Sequence, residues 1–193
     1  MNKTPINIYL DMDGTLAVFK NAEIFEDFFT PGFFYNLKPQ RNILNATKKL
    51  YENEKEFGIR VYTLSSIIKG HKTARTEKNN WLDKYFPELP KSRRKYTMVG
   101  ENKADKIKDP SHSILLDDFG PLCDDFIEAG GIAIKVSRNA CDTVKEQAKF
   151  KHAHHIDPDM TSYQIVKYVM AIKEYYFDQD NMNDEKETST KKP

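Results

Sequence analysis

The chain has 193 residues, with 30 lysines and arginines against 29 aspartates and glutamates and a formal net charge of +1. This length suits one sizeable domain, and the charge balance excludes the strongly basic composition of proteins that bind nucleic acid over a broad surface. The two cysteines, Cys123 and Cys141, form no C-x-x-C pair, which argues against a disulfide scaffold and against a zinc site.

The two ends of the chain carry little hydrophobic sequence. The N-terminal apolar run is too short for a signal peptide and is interrupted by acids, and no stretch approaches the roughly 18 apolar residues of a membrane span. With the cysteines reduced, these features predict a cytoplasmic protein without a membrane partner. Residues 178–193 are polar and lack periodicity, so we expect a disordered tail after a single domain at 1–177.

Apolar runs of strand length alternate with helical patterns along the chain. The predicted strands are 6–10, 59–64, 96–99, 113–116 and 131–136. The predicted helices are 40–54, 74–86, 120–129 and 161–176. This alternation implies right-handed crossovers, and runs that are apolar throughout suit a sheet covered on both faces. We therefore predict an α/β fold, a three-layer Rossmann-like domain with a mainly parallel five-stranded sheet.

The first strand ends on two acids, in the stretch IYLDMDGTLAVF at residues 8–19. Asp11 and Asp13 are two positions apart, so their side chains point to the same side if the strand direction persists. Two like charges placed together are costly, and a divalent cation such as Mg²⁺ removes that cost. Asp before Gly also favours a turn and can cap a helix, so this pair alone leaves both interpretations open.

Polar residues also follow the second and fourth predicted strands. Ser65 and Ser66 come directly after one apolar run, and the pair Asp117 and Asp118 ends another. Ligands of such folds bind beyond the carboxyl ends of the strands. The two acid pairs together therefore predict a magnesium site with positions left for a phosphate, and the serines suit phosphate oxygens or, alternatively, the cap of a following helix.

The order of these elements resembles that of the haloacid dehalogenase-like phosphohydrolases over about residues 6–136. The resemblance consists of D-x-D-G-T after the first strand, a hydroxyl residue at the end of the second, a lysine, and an acidic pair after a fourth strand. Within that superfamily the chain is similar to the 5′(3′)-deoxyribonucleotidases. That closer resemblance lies in the stretches DMDGTLAVF, FFYNLKP, SSI followed by EKNNWLDKYF, and ILLDDF.

The resemblance implies a role for each motif. Asp11 would be the nucleophile, and Asp13 would be the general acid and base. The phosphate would be bound by Ser65 of the second motif with Ser66 beside it, by Lys78 in E-K-x-x-W, and by Lys103. The cofactor would be Mg²⁺, held by Asp11, Asp13, Asp117 and Asp118, and the sequence leaves open which member of the second pair contacts it.

The segment between the first motif and FFYNLKP is short compared with that of animal deoxyribonucleotidases, where it forms a helical cap over the base. Residues 16–36 therefore predict a small helical cap insert after strand 1, as in bacterial and phage members. Seven aromatic residues crowd this region. We expect most of them to be core, and Phe19 to contact the substrate because it lies closest in sequence to the nucleophile.

Two further stretches carry weaker signals. The stretch KHAHHID contains His152, His154 and His155, for which a surface loop is favoured over a transition-metal site. The basic cluster KSRRKY at 91–96 suits a solvated loop better than a nucleic-acid contact, and attraction of anionic nucleotides is an intermediate interpretation.

The function predicted first is a magnesium-dependent nucleotide monophosphatase of nucleotide metabolism, whose partner is a small-molecule nucleotide. A second interpretation is a phosphatase for another small phosphate ester or for a nucleic-acid terminal phosphate. A third, of a different class, is a non-catalytic domain that binds a phosphorylated ligand. The sequence leaves base and sugar preference open, and also the oligomeric state, a homodimer included.

Overall fold

Parallel strands form one sheet in the computed structural model, which describes residues 4–19, 25–137 and 154–178. Within those ranges the sheet has six strands in the order β3-β2-β1-β4-β5-β6. The strands are β1 Ile6–Leu10, β2 Ile59–Ile67, β3 Arg94–Met98, β4 Ser113–Asp117, β5 Ile132–Val136 and β6 His154–Ile156. Every neighbouring pair is parallel. The predicted α/β, Rossmann-like class is confirmed.

Helices cover both faces of the sheet. They are α1 Arg41–Glu52, α2 Glu54–Phe57, α3 Ala74–Tyr85, α4 Gly120–Glu128 and α5 Ser162–Phe177. Short 3-10 helices occur at Phe25–Phe29, Lys91–Arg93, Lys103–Lys106 and Pro110–His112. The pattern at 40–54 is therefore two helices that meet at Asn53. None of the helices in the described ranges combines the length and the apolar character needed to cross a bilayer.

The core consists of two apolar clusters, one on each side of the sheet. In β1, Ile8 and Leu10 belong to the larger cluster, which includes residues of α1, α3 and α5. Tyr9 belongs to the smaller one, with Phe126 of α4. Alternate side chains of a strand point to opposite faces, so an uninterrupted apolar run can fill both clusters. This is the predicted three-layer arrangement.

Three details of the sheet differ from the prediction. β2 continues to Ile67, so Ser65 and Ser66 lie within the strand, paired in register with Tyr96 and Thr97 of β3, and do not follow it. The count of five strands was wrong by one because β6 is three residues long and contains a single buried apolar residue. The surface-loop interpretation of the histidine cluster was wrong for His154 and His155, which lie in β6, and His152 lies outside the described residues.

The region of the predicted cap is described from residue 25 onward, and we call residues 25–37 the cap segment. It begins with the 3-10 helix Phe25–Phe29 and continues in turns. It lies against α3, where the buried carboxylate of Glu77 accepts hydrogen bonds from the backbone N–H groups of Gly32 (3.0 Å) and Phe34 (3.1 Å). The Thr73 hydroxyl also donates to Glu77 Oε1, at 2.7 Å. The carboxylate of Glu77 thus anchors the backbone of the cap segment to α3 through hydrogen bonds.

Two more side chains fix the same segment. Trp81, one turn after Glu77, donates from its indole N–H to the carbonyl of Leu37 at 2.8 Å. The His71 ring accepts from the backbone N–H of Ala74 at Nδ1, 3.0 Å away. Its Nε2 must then carry the hydrogen that bonds the carbonyl of Phe28 at 2.7 Å. The cap segment is therefore held near both ends and in the middle.

Burial alone would raise the pKa of Glu77, but the hydrogen bonds from Thr73, Gly32 and Phe34 outweigh it and hold the pKa below the usual glutamate value. We expect Glu77→Gln to lower the free energy of unfolding at neutral pH by about 1–3 kcal/mol. The side-chain NH₂ group of the glutamine would face a backbone N–H group, and two donors cannot bond each other. Because the folded-state pKa is lowered, this contribution is complete above the unfolded value of about 4.3. It is lost as the pH falls through the lower folded value.

Urea unfolding of the two proteins from neutral pH down to about pH 3 measures this difference. Glu88→Gln is the matched control, since Glu88 is exposed and its ammonium partner Lys48 is 3.8 Å away, and we expect it to cost less than about 0.5 kcal/mol. A Glu77→Gln deficit that stayed constant over the whole pH range would contradict an ionised Glu77 as the anchor.

Candidate active site

The first aspartate of D-x-D-G-T lies at the carboxyl edge of the sheet and is paired with a lysine. Asp11 directly follows β1, and its backbone N–H continues the pairing to the carbonyl of Leu116 at 2.9 Å. The buried Lys103 Nζ donates to Asp11 Oδ1 (2.6 Å) and to Asp117 Oδ2 (2.5 Å). Burial alone would lower the pKa of Lys103, but these two carboxylates outweigh it and raise the pKa. The single ammonium group of Lys103 therefore partly neutralises the carboxylates of both Asp11 and Asp117.

The second aspartate is paired with a different lysine. Lys78 of α3 is fully buried. Its Nζ donates to Asp13 Oδ2 (2.6 Å), Ser65 Oγ (2.8 Å) and the carbonyl of Ser66 (2.6 Å), which uses all three ammonium hydrogens. The ring of Phe34 lies over the same nitrogen, with its centroid 4.8 Å away. Lys78 thus connects the first motif, the second motif and the cap segment.

The free oxygen of Asp13 stands out electrostatically. Asp13 Oδ1 is buried and has no hydrogen-bond partner among the described residues. Burial raises the pKa of Asp13, and the negative charge of Asp11 adds to this, although Lys78 and Lys103 act in the opposite direction. The Asp13 carboxylate therefore takes up a proton more readily than an exposed aspartate does.

A group of three carboxylates lies at the floor of the site. Asp11, Asp117 and Asp118 each place one oxygen within 4.8 Å of the others. Burial raises the pKa of Asp117 to about 6 and that of Asp118 to about 8, and for Asp118 the charges of Asp11 and Asp117 add to the effect. Lys103 alone does not balance this negative charge, and carboxylate oxygens are the ligands that Mg²⁺ prefers. These residues therefore fit a divalent cation, and the Asp13 carboxylate, which accepts from Lys78, is not one of the three.

The glycine of D-x-D-G-T is required by this crowding. Gly14 has a φ of +85°, and a Cβ there would lie 2.0 Å from Asp118 Oδ2. Its N–H donates to the carbonyl of Ala17 (2.8 Å), and the Ala17 N–H donates back to Met12 (2.7 Å). A tight turn thus lets the loop after β1 approach the loop after β4, which is why a residue with a side chain does not fit between the two acid pairs.

A cavity of about 430 Å³ opens above these carboxylates. Its polar lining is Asp11, Asp13, Ser66, Glu101, Lys103, Asp117, Asp118 and Asp125. Its apolar lining is Phe19, Val99, Phe119, Pro121 and Leu122. Phe19 is 37% exposed and Phe119 58% exposed. Ser65 and Lys78 do not line the cavity but lie behind Asp13 and Ser66, so the structure places these two predicted phosphate ligands one layer deeper.

Several residues of this lining were missed by the sequence analysis. Phe119 is the clearest, and a signal for it exists, because a large apolar residue between an acid pair and the Gly120-Pro121 start of α4 has no regular core position. Val99, Glu101 and Asp125 had no such signal. They reach the cavity because the loop after β3 and helix α4 both begin at the edge of the sheet where Asp11 lies.

The described residues of the histidine cluster and two arginines of the basic cluster make contacts within the fold. His154 Nε2 bonds the Tyr176 hydroxyl at 2.9 Å, and His155 Nε2 bonds the Ser137 hydroxyl at 2.7 Å. In the basic cluster, Arg93 pairs with Glu54, and Arg94 pairs with Asp83 at 2.7 Å. Asp11, Asp117 and Asp118 are the one group of potential metal ligands found in the described ranges.

Solved structures of three hydrolases match the fold of this chain. A D,D-heptose 1,7-bisphosphate phosphatase from Burkholderia thailandensis matches with a TM-score of 0.55 at 13% identity, covering 85% of this chain and 98% of its own. A HAD family hydrolase from Deinococcus radiodurans R1, with bound phosphate and sodium, matches with a TM-score of 0.54 at 10% identity, covering 84% and 93%. A HAD hydrolase, family IA, variant 3, from Entamoeba histolytica matches with a TM-score of 0.52 at 12% identity, covering 82% and 94%.

At these identities the matches show that the chain shares its fold with these hydrolases. No protein-family model and no curated protein matches the chain.

The cluster of three carboxylates formed by Asp11, Asp117 and Asp118 predicts that Mg²⁺ stabilises the protein. We expect millimolar Mg²⁺ to raise the melting temperature, because ligands that bind the folded state alone stabilise it, by about 2.7 kcal/mol at 100 times Kd. In Asp118→Asn the Mg²⁺-dependent shift should fall sharply, while the metal-free protein stays folded because asparagine keeps the shape of this half-buried side chain and removes a carboxyl group from beside Asp11 and Asp117. Thermal unfolding with Mg²⁺ and with a chelator measures both effects.

Asp105→Asn is the matched control, since Asp105 is exposed in the 3-10 helix that also carries Lys103. Its Mg²⁺ response should equal that of the unaltered protein. A melting temperature that Mg²⁺ leaves unchanged in the unaltered protein would contradict the metal site.

Proposed function

We propose that the chain is a magnesium-dependent phosphatase that hydrolyses nucleoside or deoxynucleoside monophosphates to nucleoside and phosphate. The observation that carries this proposal is the matched pairing of the two aspartates. A buried lysine holds one oxygen of each, Lys103 on Asp11 Oδ1 and Lys78 on Asp13 Oδ2. Each carboxyl group thus keeps one oxygen for chemistry at the same cavity.

In the proposed reaction Asp11 attacks the phosphorus through Oδ2. The new oxygen–phosphorus bond replaces the bond to the sugar oxygen, which gives an aspartyl-phosphate. Asp13, protonated, gives its proton to the departing sugar oxygen. It then takes a proton from the water that attacks the aspartyl-phosphate, so phosphate is released and Asp11 is regenerated.

The site also supplies positive charge around the transferring group. Lys103 contacts the nucleophile directly, and Lys78 fixes the proton donor from behind. Asp11, Asp117 and Asp118 would hold Mg²⁺, which supplies further positive charge for the phosphoryl oxygens when it is bound. Preorganised charge of this kind is the usual source of acceleration in phosphoryl transfer.

The cavity walls support a nucleoside as the leaving group. Phe19 and Phe119 present partly exposed rings above the carboxylate floor, and such rings suit the apolar faces of a nucleobase. Among the described lining residues Lys103 is the one cation, and Glu101 and Asp125 add negative charge. This lining disfavours a polyanion, so a small monophosphate is favoured over the terminal phosphate of a nucleic acid.

A second candidate is a phosphatase for another small ester, since one solved structure with this fold is a heptose bisphosphate phosphatase. A non-catalytic domain that binds phosphorylated ligands is disfavoured, because both aspartates and their lysines are present and paired. Rates on a panel of nucleoside 5′- and 3′-monophosphates, sugar phosphates and phosphorylated oligonucleotides separate these possibilities.

Asp11→Asn should reduce phosphate release from a nucleoside monophosphate to the background rate, because the covalent intermediate can no longer form. Asp13→Asn should lose about 10²–10⁴-fold in kcat, the usual contribution of general acid–base catalysis. Its loss should be smaller with an aryl phosphate whose leaving group needs no proton. Phosphate release with and without Mg²⁺ measures these rates, and the exposed-site variant Asp105→Asn should be fully active. Near-normal turnover by Asp11→Asn would contradict the nucleophile assignment.

Phe119→Ala should raise KM for a nucleoside monophosphate by about 5- to 100-fold, since stacking of a base on an aromatic ring contributes about 1–3 kcal/mol. The KM for acetyl phosphate, which has no ring, should stay within about twofold of the normal value. Tyr163→Ala is the matched control, because Tyr163 is an exposed aromatic residue on α5. Equal effects of Phe119→Ala on both substrates would sink the role of this ring in substrate recognition.

A further inference from the structure

One side of α3 binds the cap segment, and the next side chain along the helix belongs to the active site. Glu77 and Trp81 are four residues apart, so they project from the same face. They bind the backbone of the cap segment at Gly32, Phe34 and Leu37. None of these contacts involves the cavity, and the reaction described above makes no use of Glu77.

The backbone held by Glu77 supports a ring of the cavity wall. Phe19 stacks on Phe28 with ring centroids 5.7 Å apart and meets the edge of Phe33 at 6.3 Å. Phe28 and Phe33 contact each other at 5.2 Å, and Phe33 contacts Phe34 at 5.2 Å. Phe33 lies directly between the two amides that Glu77 binds. Movement of that backbone would therefore displace the rings on which Phe19 rests.

The anchor is strong enough for this role. A carboxylate that accepts three hydrogen bonds in a buried setting forms charge-assisted bonds, which are about twice as strong as neutral ones. Glu77 is 8% exposed, so water competes little for its oxygens. By contrast Phe19 is 37% exposed, and its ring depends on neighbouring rings for a fixed orientation.

We propose that Glu77 is a positioning residue for substrate recognition: by binding the backbone of Gly32 and Phe34 it fixes the aromatic support that holds Phe19 at the cavity mouth. The ligand it serves is the planar, uncharged part of a phosphate monoester. This inference rests on the proposed function. It adds a residue that contacts neither the substrate nor Phe19 but determines the shape of the leaving-group wall.

A double-mutant cycle tests whether Glu77 acts through Phe19. Kinetics are measured for the unaltered protein, Glu77→Gln, Phe19→Ala and the double variant, with a deoxynucleoside monophosphate and with acetyl phosphate. We expect Glu77→Gln to raise KM for the nucleotide about 5- to 50-fold, within the range of one base–aromatic contact, with kcat and the acetyl phosphate reaction changed less than about twofold. In the Phe19→Ala background it should add almost nothing.

Two results of this kinetic cycle would overturn the proposal. Equal losses on both substrates would mean that Glu77 acts through general stability or through the neighbouring Lys78. Independent, additive effects of Glu77→Gln and Phe19→Ala would mean that the ring is not held by this anchor. The control Glu88→Gln should leave every parameter unchanged.

A milder variant and a non-kinetic measurement keep the test decisive. Thr73→Ala removes one of the hydrogen bonds to Glu77 and leaves the carboxylate, so it should shift KM in the same direction by a smaller factor; no shift on the nucleotide would count against the proposal. Trp81 is the one tryptophan of the chain, and its indole N–H bonds the cap segment at Leu37. We therefore expect its emission to change in Glu77→Gln, and an unchanged spectrum would contradict displacement of the segment.

Calorimetric binding of a deoxynucleoside separates failure of this inference from failure of the proposed function. If the unaltered protein hydrolyses no phosphate ester, the proposed function is wrong. The affinity for the nucleoside still measures whether the cavity wall at Phe19 is intact. Its Kd should rise in Glu77→Gln relative to the unaltered protein and should not rise further in the double variant relative to Phe19→Ala. Equal nucleoside affinity in all four proteins would overturn the inference.

Discussion

The arrangement of the site depends on how the fold accommodates negative charge at the carboxyl edge of a buried sheet. Asp11 and Asp117 are 6% and 1% exposed, and isolated carboxylates at such positions would be strongly destabilising. Lys103 compensates this pair, and Lys78 compensates Asp13. A buried ion pair adds little net stability, but loss of one partner leaves a buried charge exposed to the full desolvation cost. The two lysines are therefore needed for the aspartates to be buried as carboxylates, whatever part they play with a substrate.

The topology explains why two lysines are needed and where they come from. β1 is flanked by β2 and β4, so its carboxyl end meets two loops. Lys103 follows β3 and enters from the side of Asp117, and Lys78 follows β2 on α3 and enters from the side of Asp13. Each lysine binds one oxygen of the D-x-D pair, which turns two chemically identical side chains into groups with different surroundings. In the proposed reaction these different surroundings allow one carboxylate to attack while the other carries a proton.

Much of this could be predicted from sequence because the signals are local. Apolar runs identified five of the strands, and the acids at their ends pointed to one edge of the sheet. The missing information concerned pairing over long distances. The length of β2 depends on the register of Ser65 and Ser66 against β3, and β6 is too short to show a run. Asp13 and Lys78 are 65 positions apart in the chain and bond each other. Their pairing follows from the crossover between β2 and β3, which contains α3, and no sequence spacing indicates it. Glu77 was missed for the same reason, since its hydrogen bonds go to a segment more than 40 positions away.

Glu77 and Lys78 are adjacent on α3, and in the proposed function they link substrate recognition to chemistry within one turn of helix. Neighbouring residues on a helix point about 100° apart, so α3 can bind the cap segment with one side chain and Asp13 with the next. Phe34 closes this arrangement: its amide is held by Glu77, and its ring lies over the Lys78 ammonium group. The hydrogen bonds of Gly32, Phe34 and Leu37 to α3 restrain the cap segment against the helix that carries Lys78. In the proposed function, substrate selectivity then comes from the shape and charge of the cavity mouth. That is consistent with the partly exposed rings of Phe19 and Phe119 facing a rim whose remaining charges are acidic.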